Sequence, residues 1–233
     1  MPRTPRRCQW TEEACYHLMD RGHNRETIFA DDEDRCAFLN LVQRYQQRFG
    51  FRIYHYCLMS NHFHLLVHLA DPRHLSPLMA GLLRAYVHHC HRRHGFVGHR
   101  WQGRFQSPAV QCRQYLLSCG RYIERNPVEA GLLTEPWQYP SSSAAAYALG
   151  EPNPLLAENA EYLALAAEPA RRQALWRQFL LETDPREEIV RHGAWAIGDE
   201  DFRLRALLHQ GRAGPRRRGR PRKQVPESGP IYT

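Results

Sequence analysis

Two histidines one residue apart, in the run Ser60-Asn61-His62-Phe63-His64-Leu65-Leu66-Val67-His68, have the type and spacing to hold half of a divalent-metal site. Successive side chains of a β-strand alternate faces, so His62 and His64 leave one face while Phe63, Leu65 and Val67 leave the other for packing. Neutral imidazole ligates transition metals, and it suits Mg²⁺ or Mn²⁺ when oxygen donors complete the shell. Tyr122 and Asn126 stand four apart in Tyr122-Ile123-Glu124-Arg125-Asn126-Pro127, a spacing that puts both side chains on one helix face. An amide oxygen from Asn126 could join the metal, and the Tyr122 phenol could attack a phosphate polarised by it. Each part also has a plainer use. Histidines on a sheet make ordinary hydrogen bonds, and Tyr122 fits a half-buried aromatic stripe that Tyr115 fits equally well.

The elements that must position these groups follow from periodicity and punctuation. Residues 14–20 are strand-like. Asp31 or Asp32 caps a helix in which Phe38, Leu41 or Val42, Tyr45 and Phe49 recur at helical spacing, and Gly50 ends it. Residues 51–58 and 62–69 form two strands joined by a hairpin at 59–61. Ser76-Pro77 opens a second helix, lined on one side by Leu78, Leu82, Tyr86 and Cys90 and ended by Gly95. After a loop at 98–103, the pattern predicts a strand over 104–111 and a third helix over 113–126, which Pro127 should stop. The order β-α-β-β-α-β-α predicts an α+β fold, a ferredoxin-like split β-α-β domain with an antiparallel sheet and helices mainly on one face.

Beyond this domain, assigned to residues 1–140, a helical accessory region is expected over 141–210. Residues 136–154, rich in Pro, Ser, Ala and Gly, read as a connector. Helices are expected over 157–181, 185–192 and 202–208, with a turn at 198–200. Residues 211–233 form a tail.

The net charge of +8 is concentrated in that tail, since residues 211–223 hold six arginines, one lysine and no acid. Such a tail is expected to be disordered until a polyanion binds it, with affinity gained through counterion release, which makes nucleic acid the expected partner. No apolar run approaches the roughly 20 residues that span a bilayer, and no leader-like apolar segment is present, so no membrane partner is expected. The seven cysteines are scattered without a C-x-x-C pair, as reduced thiols of a cytoplasmic protein would be. A zinc site in the cluster His88-His89-Cys90-His91-Arg92-Arg93-His94 ranks below a basic helix surface, because no second ligand pair accompanies it.

Taken together, His62-Phe63-His64 and Tyr122-Ile123-Glu124-Arg125-Asn126-Pro127 resemble the motifs of REP-associated tyrosine transposases, a branch of the single-tyrosine HUH transposases. The resemblance runs from about residue 16 to 140. It includes Asp20-Arg21-Gly22-His23-Asn24-Arg25, Tyr56-Cys57-Leu58-Met59-Ser60-Asn61-His62 and Trp101-Gln102-Gly103-Arg104-Phe105. It implies a ferredoxin-like fold, His62, His64 and Asn126 as ligands of Mg²⁺ or Mn²⁺, and Tyr122 as nucleophile. Where some relatives carry a tyrosine, this chain has Phe105, and Tyr115 lacks an amide four residues on because Cys119 stands there. The implied reaction is cleavage and rejoining of single-stranded DNA near a hairpin through a 5′-phosphotyrosine link.

Arg21, His23, Asn24 and Arg25, with Arg100, Trp101, Gln102 and Arg104, are the candidates for contacting that DNA, arginine by forking phosphate and tryptophan by stacking a base. Arg218-Gly219-Arg220-Pro221-Arg222 resembles an AT-hook core, so Arg218, Arg220 and Arg222 are expected to reach duplex DNA through its minor groove. Location in the cytoplasm, at the nucleoid when DNA is bound, and a monomer or homodimer are the matching expectations. Two rival functions share some of these features. A non-catalytic DNA-binding regulator would not need Tyr122. A rolling-circle replication initiator or relaxase would share the histidines and tyrosine, although no GxxxxGK[ST] phosphate loop is present.

Overall fold

A computed structural model describes residues 14–192 and 196–209 of the chain. Its centre is a five-stranded sheet of β1 (Ala14–Arg21), β2 (Arg52–Leu58), β3 (His62–His68), β4 (Ala109–Gln111) and β5 (Ala196–Ile197), in the order β2-β3-β1-β4-β5. The first four strands pair antiparallel, as the ferredoxin-like reading requires; β5 adds a parallel edge from the C-terminal region. The register sets Met19 and Cys57 opposite His64, and Arg21 opposite His62. Met19, Arg21 and the two histidines therefore share a face.

Three helices cover the sheet: α1 (Asp32–Phe49), α2 (Leu75–His94) and α3 (Cys112–Glu129). The face bearing Leu18, Phe63, Leu65 and Val67 packs against Phe38, Val42, Leu78, Leu82 and Tyr86 of α1 and α2. The opposite face is also apolar, with Cys15, Cys57, Leu66 and Val110, and it is closed by Leu116, Cys119 and Ile123 of α3. This corrects the expectation of helices mainly on one face: an apolar stripe beside the histidines has to be covered too. Gly120 permits the close approach of α3, since a Cβ there would lie 2.5 Å from the His55 ring.

The helix ends mostly follow the sequence signals. Asp31 accepts from the Asp34 N–H at 3.0 Å, and Gly50 closes α1 in the left-handed region with φ 65°. The 88–94 cluster serves structure: His89, Arg93 and His94 all bond the buried Asp34 carboxylate, tying the end of α2 to the start of α1. Burial alone would raise the Asp34 pKa, but these bonds and the Ala30 N–H hold it at about 2.

Three departures come from long-range packing. The strand expected over 104–111 keeps regular pairing only at Ala109–Gln111, although Gln106 bridges to Met19. The supposed connector contains α4 (Ala144–Leu149) and docks along the β2 edge, where Leu58 N–H donates to Ser141 O at 2.9 Å and Ser143 N–H to Tyr56 O at 3.0 Å. An exposed sheet edge is thereby covered. The helix expected over 157–181 is two, α5 (Ala160–Leu163), capped by Asn159, and α6 (Pro169–Leu181), begun by a proline that needs no backbone partner at that position. The chain continues through α7 (Glu187–His192) and α8 (Glu200–His209).

These added helices grip the outer side of α3. The buried Glu124 carboxylate is hydrogen-bonded to His55 Nδ1 at 2.8 Å, Ser143 Oγ at 2.6 Å and Trp176 Nε1 at 2.9 Å. Buried Arg121 donates to the Phe179 carbonyl at 2.7 Å and contacts the Glu182 carbonyl and Glu187. Among the described residues no helix is long and apolar enough to cross a membrane, and the six described cysteines are free thiols.

Candidate active site

α3 crosses the histidine face of the sheet and turns Tyr122 and Asn126 toward β3. The result is a cleft of about 560 Å³ with His62, His64, Tyr122 and Asn126 in its wall and Arg21, Arg25, Gln102 and Arg104 also lining it. The His62 and His64 rings lie 5.0 Å apart, and the Tyr122 ring lies 6.0 Å from that of His64. Burial pushes both histidines below the ordinary imidazole range, His64 far below it, with the Arg21 charge adding to the shift at His62 and the neighbouring His17 and His62 adding to that at His64. Both are therefore neutral, the form that binds metal.

The hydrogen bonds show where the lone pairs point. Asn61 spends its amide nitrogen on the Arg25 carbonyl, so its Oδ1, 2.6 Å from His62 Nδ1, accepts the His62 proton. His62 Nε2 is then bare. It faces Asn126 Oδ1 at 3.5 Å, while the Asn126 amide nitrogen donates to the Tyr122 and Ile123 carbonyls at 2.9 and 3.2 Å. Two acceptors directed at one another without a proton between them repel unless a cation lies between. Among the described residues no group of three or more His, Cys, Asp or Glu could hold a metal, and the oxygen that faces His62 Nε2 is the Asn126 amide. Imidazole nitrogen with amide oxygen suits a divalent ion that keeps water in its shell.

Pro127 has a part in this aim. It does not stop α3, which continues to Glu129, because its ring sits in the last turn and the carbonyl it deprives of a donor, that of Ile123, is served by Asn126. The loss of one backbone N–H thus holds the Asn126 amide nitrogen back and its oxygen forward. Pro127→Ala should raise the melting temperature while lowering the strand cleavage that the resemblance implies by on the order of tenfold, because a restored N–H competes for the Ile123 carbonyl. Parallel melting curves and single-turnover cleavage check this; unchanged cleavage would show that Asn126 needs no such anchor.

Tyr122 is half-buried, and burial raises its phenol above the ordinary tyrosine range, so it is protonated at neutral pH. Tyr115 is packed with Leu116 and Cys119 and does not line the cleft. Among the described residues, that leaves Tyr122 as the tyrosine in reach of His62 and His64.

The expected DNA contacts divide. Arg21, Arg25, Gln102 and Arg104 are exposed on the cleft, with Arg21 Nε donating to Gln102 Oε1 at 3.0 Å. They sit at the end of β1 with the segment after it and on the loop at 98–104, laced together where Gln102 N–H donates to Arg21 O and His23 N–H to Arg100 O, each at 2.8 Å. His23 and Asn24 are exposed beside them, and Asn24 and Arg25 hold φ of 51° and 62°. Arg100 turns away to the Ile28 carbonyl and over the Phe96 ring. Trp101 is buried against Phe63 and Tyr86, its Nε1 donating to Leu83 O, so its ring is not presented to a base. Arg218, Arg220 and Arg222 lie outside the described residues, as does the tail.

Sequence reasoning gave no role to Met19, Asp20, Asn61 and Gln106, which also line the cleft, although Asp20 and Asn61 stand within the motifs of the resemblance. Asn61, adjacent to His62, could have been found as a partner for the free nitrogen of a ligand histidine. The others depend on strand register.

The profile of the family described as "Transposase IS200 like" matches residues 11–126. A solved structure described as a REP-associated tyrosine transposase bound to a REP hairpin has the same fold, with a TM-score of 0.55 and 16% identity, covering 69% of this chain and 93% of that one. A search of curated proteins finds no match.

Proposed function

The chain belongs to the IS200-like transposase family through residues 11–126, and from that premise we propose that it cleaves and rejoins single-stranded DNA beside a hairpin, using Tyr122 as nucleophile. The observation that carries this reading is the convergence in one cleft of the Tyr122 phenol with the inward-facing His62 nitrogen and Asn126 oxygen. In the proposed reaction the phenolic oxygen bonds to the scissile phosphorus as the bond to the 3′ oxygen breaks. The phenol loses its proton and the departing 3′ oxygen gains one. A 3′ hydroxyl attacking the resulting 5′-phosphotyrosine reverses the exchange, so rejoining needs no nucleotide cofactor.

His62, His64 and Asn126 would hold Mg²⁺ or Mn²⁺, which when bound would supply positive charge for the phosphate oxygens. The protein's own contributions are positional. Helix α3 fixes the phenol and the amide four residues apart on one face. The cleft holds His64 buried in its wall, and Arg21, Arg25 and Arg104 offer guanidinium groups to the strand. A REP-like hairpin as substrate is supported by the fold shared with the hairpin-bound structure. Duplex contact through Arg218, Arg220 and Arg222 belongs to the same proposal and predicts a weaker salt dependence of binding once the tail is removed.

The test is incubation of wild type and Tyr122→Phe with labelled single-stranded hairpin libraries and Mn²⁺. Wild type should give a covalent protein–DNA band and cleaved strand, and the variant neither. Equal bands from both proteins would move the nucleophile elsewhere. Tight binding without a band or cleavage in any substrate would favour the non-catalytic regulator.

A further inference from the structure

His62 is oriented by Asn61; His64 has its own partner, and it is not a carboxylate or a backbone carbonyl. His64 Nδ1 lies 2.8 Å from Nε2 of His17, a fully buried residue of β1 whose side chain pairs with no acid among the described residues. The two rings lie 5.0 Å apart, and the edge of Tyr122 meets His17 at 6.0 Å. The other His17 nitrogen, Nδ1, has no hydrogen-bond partner among the described residues. A buried imidazole nitrogen left without a partner is destabilising, so a purely structural position would be better filled by an apolar side chain.

We propose that His17 is a positioning residue for the metal reading above: its bare Nε2 accepts the His64 Nδ1 proton and thereby keeps the His64 Nε2 lone pair turned to the cleft. This inference rests on the metal reading and adds a residue to it. A neutral imidazole carries one proton, and ligation through Nε2 requires that proton on Nδ1. With the acceptor at His17, His64 holds that tautomer before any ion arrives. Asn61 does the same for His62. The site then carries two preset histidines, one held by an amide at its rim and one by an imidazole in its floor.

Mn²⁺ titration of the full-length protein by calorimetry, without DNA, separates the possibilities. His17→Phe keeps ring volume without an acceptor and should weaken Mn²⁺ binding roughly 10- to 100-fold. His17→Gln places an amide oxygen near the lost Nε2 and should remain within about threefold of wild type. Mn²⁺ affinity of His17→Phe equal to wild type would overturn the inference and leave the metal reading standing; absence of Mn²⁺ binding by wild type would overturn both. Should His17→Phe fail to fold, ¹⁵N spectra of the wild-type imidazoles decide. A His64 proton on Nδ1 in the metal-free protein is expected, and a proton on Nε2 contradicts the assignment.

Discussion

His62→Ala should lower Mn²⁺-dependent strand cleavage by at least on the order of a thousandfold while hairpin binding in EDTA stays within about threefold of wild type. His62 is part-buried at the end of β3, and alanine there leaves the core intact because Phe63, Leu65 and Val67 do the packing on the other face. What is lost is the bare nitrogen opposite Asn126 Oδ1. A metal at such a position contributes several kcal/mol of transition-state stabilisation, and each 1.36 kcal/mol is about tenfold in rate. On the proposed reading, DNA binding without metal would rest on the cleft-lining Arg21, Arg25, Gln102 and Arg104, which the substitution does not touch. Cleavage within tenfold of wild type would remove His62 from the metal set; loss of binding in EDTA would make it a DNA contact instead.

Glu124→Ala should cost roughly 3–5 kcal/mol of stability, the largest expected effect on the fold from one side chain. The carboxylate joins three elements: His55 on β2, Ser143 before α4, and Trp176 on α6. Its removal leaves His55 Nδ1 and the Trp176 indole buried without the bond it supplied, each at about 1–3 kcal/mol, while Ser143 keeps its bonds to Tyr56, and it opens a void one turn from Gly120, which lies against the His55 ring. For a chain of this length that corresponds to a fall in melting temperature on the order of 10 °C. Trp176→Phe, which removes only the indole donor, should cost about 1 kcal/mol. Calorimetric or circular-dichroism melting measures both. A Glu124→Ala variant as stable as wild type would mean that residues 141–209 do not hold α3 through this carboxylate.

The fold was readable where local chemistry and tertiary demand agree. Asp31 and Gly50 bound α1 because a cap and a left-handed stop act within a few residues. The alternation in 62–68 placed Phe63 and His64 on opposite faces, and pairing with β1 and β2 kept them there. Pro127 misled because its effect depends on position: in the last turn one lost hydrogen bond can be replaced, and Asn126 replaces it. The connector misled for a different reason. A Ser-rich segment with little hydrophobic periodicity becomes ordered here by bonding to the free edge of β2, which no local pattern announces.

The site was legible in its motif and not in its supports. His62, His64, Tyr122 and Asn126 lie together as spacing and resemblance expected. Trp101 could be read as exposed or buried from its loop, and only the packing against Phe63 and Tyr86 decides. His17 gave no signal because its importance depends on β1 lying next to β3 in one register.

Mass spectrometry of wild-type protein trapped on a single-stranded hairpin substrate tests the account most directly. Cleavage after arginine places Tyr122 in the peptide 122–125 and Tyr115 in the separate peptide 114–121. The account predicts a nucleotide attached through its 5′ phosphate to the peptide 122–125. An adduct on 114–121, or cleaved DNA with no protein adduct at all, would contradict it.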